Sequence, residues 1–483
     1  MTTQAHPHAQ SQSRPDGPAE RGQRLSGEDL SFWWLDAPTQ PTTMAILMLL
    51  DRVPDPVRLR RAFERAVAAV PRLAERVVEA PLELTLPHWQ RDPTFDLDYH
   101  VRRHGLAKGG GLAELFAEVS PAYEQPFDRS RPLWEARVYE GVGDGCEAAI
   151  FFKLHHAVAD GIGGNAILAS LTDSDRDDDL EAPPAPVHEK GAWPGDPGLV
   201  QQLAGALLDR AELEVERVQA VAGALVDTIR HPSNLGHAYE ILRSVASSFS
   251  FDSHSPMKTR TGRARRLSGL ELPFEEMRTI KKALGVSMID VILTISARAM
   301  GRWYASRGIH DVHEIMTLVP IAMRAPEMWG GDGMVGNKAS SILVELPIGI
   351  EDPLKTLKEV HRRMLLKKAD PAAAASPQLA SMLSVLPRRF FTWMAEATFQ
   401  NIDFVVTNVP GIRVPRFLAG AELVGAYPFA PTARTSPASI ALYGYRDSLF
   451  IGLDADVATM PDDDAFRGML ADSFEELRRV ARL

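Results

Sequence analysis

The sequence predicts an α/β protein built as two lobes. At 483 residues the chain is too long for one compact core. Strand-length apolar runs alternate with segments of helical periodicity in both halves. An acidic and then proline-rich stretch, residues 173–199, separates them. The expected organisation is a disordered tail over 1–24, a first lobe over 25–180, a linker with helices over 181–255 and a second lobe over 256–483.

Each element has its own signal. Residues 1–24 are polar and show no periodicity. Met44 to Leu50 is a strand-like apolar run. Leu59, Phe63, Ala66, Val67 and Val70 then fall on one helical face, and Pro71 ends or bends that helix. Leu133–Tyr139 and Ala148–Leu154 read as two strands joined by Gly141-Val142-Gly143-Asp144-Gly145. This hairpin delivers His155 and His156 to the far end of its second strand. Asp160-Gly161-Ile162-Gly163-Gly164 is a glycine-rich bend, and Asn165–Leu171 a short helix. Residues 200–250 are helical by pattern. In the second lobe, helices are expected over Ser287–Trp303 and Leu354–Lys368, and a strand pair near Phe404–Val406 and Ala438–Asp454. A helix from Asp462 to Val480 closes the chain.

Composition removes several function classes. Lys+Arg number 53 and Asp+Glu 63, so the net charge is −10, and no dense basic block is present. Nucleic acid is therefore not an expected partner. A single cysteine, Cys146, excludes disulfide scaffolds and cysteine metal sites and points to a reducing, cytoplasmic setting. The N-terminal residues lack the apolar core of a signal peptide, and Met44–Leu50 is far short of the ~20 residues that span a bilayer.

The strongest motif is His155-His156-Ala157-Val158-Ala159-Asp160-Gly161. From the residue counts it is expected by chance fewer than roughly 0.004 times per chain, so it demands a reading. An imidazole titrating near neutrality can take a proton from a hydroxyl or thiol. The strand end fixes its position, Asp160 steadies the bend or the ring, and the glycines let backbone and substrate approach closely. No G-x-S-x-G nucleophile accompanies it, so the natural chemistry is direct transfer, with His156 deprotonating the acceptor. The plainer reading is a histidine pair satisfying a turn, with Asp160 as a helix cap. No metal site is predicted, because adjacent histidines on a strand point opposite ways and no further ligand motif is present.

The chain resembles the bacterial wax ester synthase / acyl-CoA:diacylglycerol acyltransferase family from about Leu25 to its C-terminus. His155, His156, Asp160 and Gly161 match the family's active-site signature. Pro132-Leu133-Trp134-Glu135 matches its upstream block, and Asp92 to Val101 resembles the run before it. Asn408-Val409-Pro410-Gly411 resembles its Asn-Val-Pro-Gly turn, and Asp290 the aspartate of its Asn-Asp helix motif. The resemblance implies the two-lobed fold of the chloramphenicol-acetyltransferase-like, CoA-dependent acyltransferases, with a tunnel between lobes and the second histidine midway along it.

Carried over, His156 is the general base, His155 its motif partner and Asp160 the organiser. Gly161, Trp134, Glu135, Asn408 and Asp290 are the substrate-side candidates. Each of the last four also has a structural reading: core packing, a paired strand charge, a turn and a helix cap with Ser287. The chain departs from the family at Asp36, where glutamate is usual. It departs again at Thr42-Thr43-Met44, in place of a Met-His pair, and at Ile289, in place of asparagine.

The implied activity is transfer of a long acyl group from acyl-CoA, a co-substrate, to diacylglycerol or a long-chain alcohol. No cofactor is implied. Peripheral association with a membrane or lipid bodies is expected only because such substrates are insoluble. Two alternatives remain open: a non-catalytic lipid-binding scaffold of the same fold, and an acyltransferase for another alcohol or an amine. The basic cluster Lys258, Arg260, Arg263, Arg265 and Arg266 is either a solvated face or an anion contact.

Overall fold

A computed structural model describes residues 22–106, 110–178, 198–230, 255, 261–322, 339–370 and 388–481. Most of the expected tail and linker, the end of the 200–250 helical stretch, and Lys258 and Arg260 lie outside these residues.

The first half opens with helix α1 (Gly27–Leu35), whose Asp29 amide donates to the Ser26 side chain. Strand β1 (Thr43–Leu50) is the expected apolar run and is buried at all but one position. Helix α2 (Pro56–Ala69) begins at an Asp55 cap and buries Leu59, Phe63, Ala66 and Val67. It stops short of Pro71, which cannot continue its hydrogen bonding. Strands β2 (Glu75–Val78) and β3 (His88–Arg91) form a small ribbon. Helix α3 (Leu97–His100), strand β4 (Val101–Gly105) and helix α4 (Gly111–Glu124) follow.

The predicted hairpin is present as β5 (Trp134–Gly143) and β6 (Cys146–His155). Its loop is only Asp144-Gly145, both at positive φ (51° and 86°), which matches the twist of paired strands. Helix α5 (Gly161–Leu171) starts four residues earlier than its pattern suggested, because Asp160 caps it across the glycines. Helix α6 (Leu199–Arg230) follows.

The second half contains β7 (Arg265–Pro273), α7 (Phe274–Leu284), α8 (Met288–Ser306), β8 (Glu314–Ala322), β9 (Ala339–Pro347), α9 (Pro353–Lys368) and α10 (Arg388–Phe399). It ends with β10 (Phe404–Ile412), β11 (Phe417–Leu418), β12 (Ala421–Phe429), β13 (Ala438–Tyr445), β14 (Ser448–Asp456) and α11 (Asp463–Val480). The expected single run over Ala438–Asp454 is two antiparallel strands, β13 and β14, turned at Arg446-Asp447.

Two six-stranded sheets result, in the orders β11-β12-β1-β6-β5-β4 and β7-β14-β13-β10-β8-β9. The lobes are therefore not consecutive in sequence: β11 and β12, from the second half, complete the first sheet. Strand β12 pairs antiparallel with β1 and packs on β13 and β14 of the other sheet. The contact is tight. A Cβ at Gly452 on β14 would fall 1.7 Å from the Pro428 carbonyl oxygen on β12, so only glycine permits it. Among the described residues, no single helix is long and apolar enough to cross a membrane.

Candidate active site

Strand alternation sorts the two histidines. Phe152, Leu154 and His156 lie on one face of β6 and its extension, and all three line a cavity. Met44, Ile46 and Met48 of β1 line it too, with Leu168 and Leu171 of α5, Thr407 and Val409 of β10, and Pro428 and Phe429 of β12. The volume is about 100 Å³. The walls thus come from both sheets, and His156 is the imidazole among mainly apolar side chains.

His156 is held from three directions. Its backbone N–H donates to the Thr42 carbonyl at 2.8 Å, extending the β1–β6 pairing past the strand end. Its ring stacks on Phe32, with centroids 3.9 Å apart and 17° between planes. The turn that follows is fixed by the Val158 N–H, which donates to the His155 carbonyl at 2.9 Å.

His155 lies on the opposite face and is 1% exposed. The Ala157 N–H donates to its Nδ1 at 3.0 Å, so the ring proton sits on Nε2. Nε2–H donates to Thr42 Oγ1 at 3.0 Å, and the Thr42 hydroxyl in turn donates a hydrogen bond to the Phe32 carbonyl at 3.2 Å. His155 has both nitrogens engaged within the fold. It fixes Thr42 and Phe32, and Phe32 carries the ring of His156. Asp36 completes this layer, 3.7 Å from His155 Nε2 and 2.9 Å from Arg129. Burial alone would raise the Asp36 carboxyl. The His155 ring beside it, with hydrogen bonds from the Thr42 amide and Arg129, instead holds it well below the usual carboxylate range.

Asp160 is buried and accepts the Gly163 N–H at 2.7 Å, capping α5. It does not line the cavity; Gly161 does. A Cβ at Gly161 would meet Val409 Cγ2 at 3.1 Å, so this glycine lets α5 approach β10. Asn165 secures the same junction by donating its amide to the Pro410 carbonyl.

The other sequence candidates lie elsewhere. Trp134 is 1% exposed, stacked on His100 at 4.5 Å, with its indole N–H on the Leu73 carbonyl at 2.7 Å. Glu135 pairs across the hairpin with buried Lys153 at 2.9 Å. Burial opposes the Glu135 charge, but Lys153 and Arg137 win and hold its carboxyl low. Burial pulls Lys153 down, against Glu135. Trp134 and Glu135 line a separate polar cleft with Tyr99, Arg102 and Arg137. Asn408 is exposed, and its neighbours Thr407 and Val409, rather than Asn408, line the His156 cavity. Asp290 caps α8: its carboxylate accepts the Ser287 N–H at 2.8 Å and faces His361 Nδ1 at 2.8 Å. Within the basic cluster, Arg265 is no surface charge. It is buried against Asp454 at 2.7 Å.

The sequence marks no role for Phe32, Asn165 or Tyr443, and marks Asp36 and Thr42 only as departures from the family pattern. A buried histidine needs partners for two nitrogens. That requirement was the available signal for Thr42. Nothing local marked the rest, which reach the site through tertiary packing. Among the described residues no cluster of three or more His, Cys, Asp or Glu is placed to hold a metal.

Residues 25–292 match the wax ester synthase/diacylglycerol acyltransferase catalytic domain, and residues 335–478 the C-terminal domain of the same family. A Mycobacterium tuberculosis H37Rv protein provisionally named a diacylglycerol O-acyltransferase is 30% identical over 95% of this chain and 98% of its own length. Among solved structures, the wax ester synthase/diacylglycerol acyltransferase from Marinobacter aquaeolei VT8 superimposes with a TM-score of 0.65 at 20% identity, covering 95% of this chain and all of that one. The first condensation domain of the calcium-dependent antibiotic synthetase gives 0.60 at 15% identity, covering 96% and 97%. These likenesses carry the two-lobed CoA-dependent acyltransferase fold. Together with the catalytic-domain match over more than half its length, they establish that the chain belongs to the wax ester synthase/diacylglycerol acyltransferase family.

Proposed function

We propose that this acyltransferase moves a long acyl chain from acyl-CoA to the hydroxyl of diacylglycerol or a long-chain alcohol, with His156 as the general base and no cofactor. The observation that carries the reading is the placement of His156: an imidazole on the wall of a mainly apolar cavity, stacked by Phe32 and braced by His155 from the far side of the sheet. His156 takes the hydroxyl proton, the oxygen attacks the thioester carbon, and CoA leaves as the thiol after His156 returns the proton. The names of the relatives support diacylglycerol or a fatty alcohol as acceptor. Substrates of this kind partition into lipid, so the enzyme works from the cytoplasmic side, peripherally on a membrane or lipid body.

The test is CoA release by the purified chain with labelled palmitoyl-CoA and either dioleoylglycerol or hexadecanol. His156→Ala is expected to lower turnover by about 10²–10⁴-fold, the worth of a positioned base, while the melting curve stays in place. Full activity in that variant removes the mechanism. No release by the unaltered chain with either acceptor favours a lipid-binding scaffold.

A further inference from the structure

One side chain on the cavity wall carries a polar group that, among the described residues, nothing in the fold engages. Tyr443 lies on β13 opposite Val409 of β10 and lines the same cavity as His156. It is 1% exposed, and among the described residues its hydroxyl has no hydrogen-bond partner. Desolvating a hydroxyl without a partner is costly, and buried hydroxyls are ordinarily paired. Phenylalanine would fill the same space without that cost. Burial pushes the phenol further above the usual tyrosine range, and the hydroxyl keeps its proton and can donate a hydrogen bond at neutral pH.

We propose that the Tyr443 hydroxyl donates a hydrogen bond to a second oxygen of the bound acceptor, other than the hydroxyl facing His156, so that the site prefers acylglycerols to plain long-chain alcohols. This rests on the reading of the cavity as the acceptor site. A long-chain alcohol has one oxygen, and the base requires it. The rest of the molecule is hydrocarbon and leaves Tyr443 unpaired. An acylglycerol brings ester carbonyls, which are acceptors suited to a lone donor. A site with a buried donor penalises the ligand that cannot satisfy it.

Tyr443→Phe removes the oxygen alone and is expected to melt at or above the temperature of the unaltered chain. Binding of 1,2-dioctanoylglycerol and of 1-hexadecanol to the full chain is measured by calorimetry, and CoA release with the same two acceptors. The preference for the diacylglycerol should fall roughly 2–12-fold in the variant, the worth of one neutral hydrogen bond. Equal loss with both acceptors would assign the hydroxyl to the reacting carbonyl and overturn the proposal. An unchanged ratio, or an unaltered chain that binds no dioctanoylglycerol, overturns it as well. A Tyr443-dependent binding preference in a chain that releases no CoA upholds it and defeats only the transfer reading.

Discussion

His155 and His156 are neighbours in sequence that face opposite sides of the first sheet, and the pleat alone decides that His156 and not His155 lines the cavity. The motif makes both legible and strand periodicity puts them on opposite faces; the structure adds that His156 shares its face with Phe152 and Leu154. What the motif could not supply was the partner set of His155, because Thr42 and Asp36 stand more than a hundred residues upstream. Asp36 gives a test of this layer. Its carboxyl is held below the usual 3.8, on balance by His155, the Thr42 amide and Arg129 against burial. The folded state therefore favours the ionised form. That stability is complete above about pH 4 and is lost as pH falls toward the lowered value. Asp36→Asn should cost roughly 1.5–3 kcal/mol at pH 7, the range for hydrogen bonds to a charged group. Melting curves of the two proteins should converge below pH 4. A gap that stays constant down to pH 2.5 would mean that the charge of Asp36 contributes nothing.

Helix α5 shows how an element can be half-read. Its apolar turn, Ala166 to Leu171, was visible, but the glycines before it looked like a bend. They are helical because Asp160 caps them and because β10 presses against the first turn. The capping box of Ser287 and Asp290 was legible for the opposite reason, being wholly local. Gly161 and Val409 are the contact that places α5 beside the His156 cavity. In Gly161→Ala the new methyl meets Val409 at 3.1 Å, and the helix or the strand must yield. The expected cost is about 1–3 kcal/mol of stability with a fall in turnover, as for an overpacked core. Adding Val409→Ala removes the opposing methyls and should restore part of both. Were the double variant no better than the single one, the damage would lie in the turn itself and not in the helix–strand contact.

At the scale of the whole molecule, the two lobes were read from alternating patterns and a linker, which suggested two consecutive halves. The chain instead returns. Strand β12 leaves the second half, pairs with β1 over Ala45–Leu50, and packs under β14 at Gly452. Such a crossing has no local signature: Ala421–Phe429 looks like any strand, and only topology decides which sheet it joins. Its consequence is physical. Without β12, the apolar strand β1 becomes the edge of the first sheet, with unpaired backbone groups beside exposed Met and Leu side chains, which is an aggregation template. One wall of the His156 cavity disappears with it, since Pro428 and Phe429 belong to that strand. A fragment ending at residue 262 should therefore be insoluble when expressed alone. It should be recovered as a complex, with CoA-releasing activity, when co-expressed with residues 263–483. A soluble 1–262 fragment that melts cooperatively would show that the first lobe closes its own sheet, and the crossing strand would then be ornament to the fold.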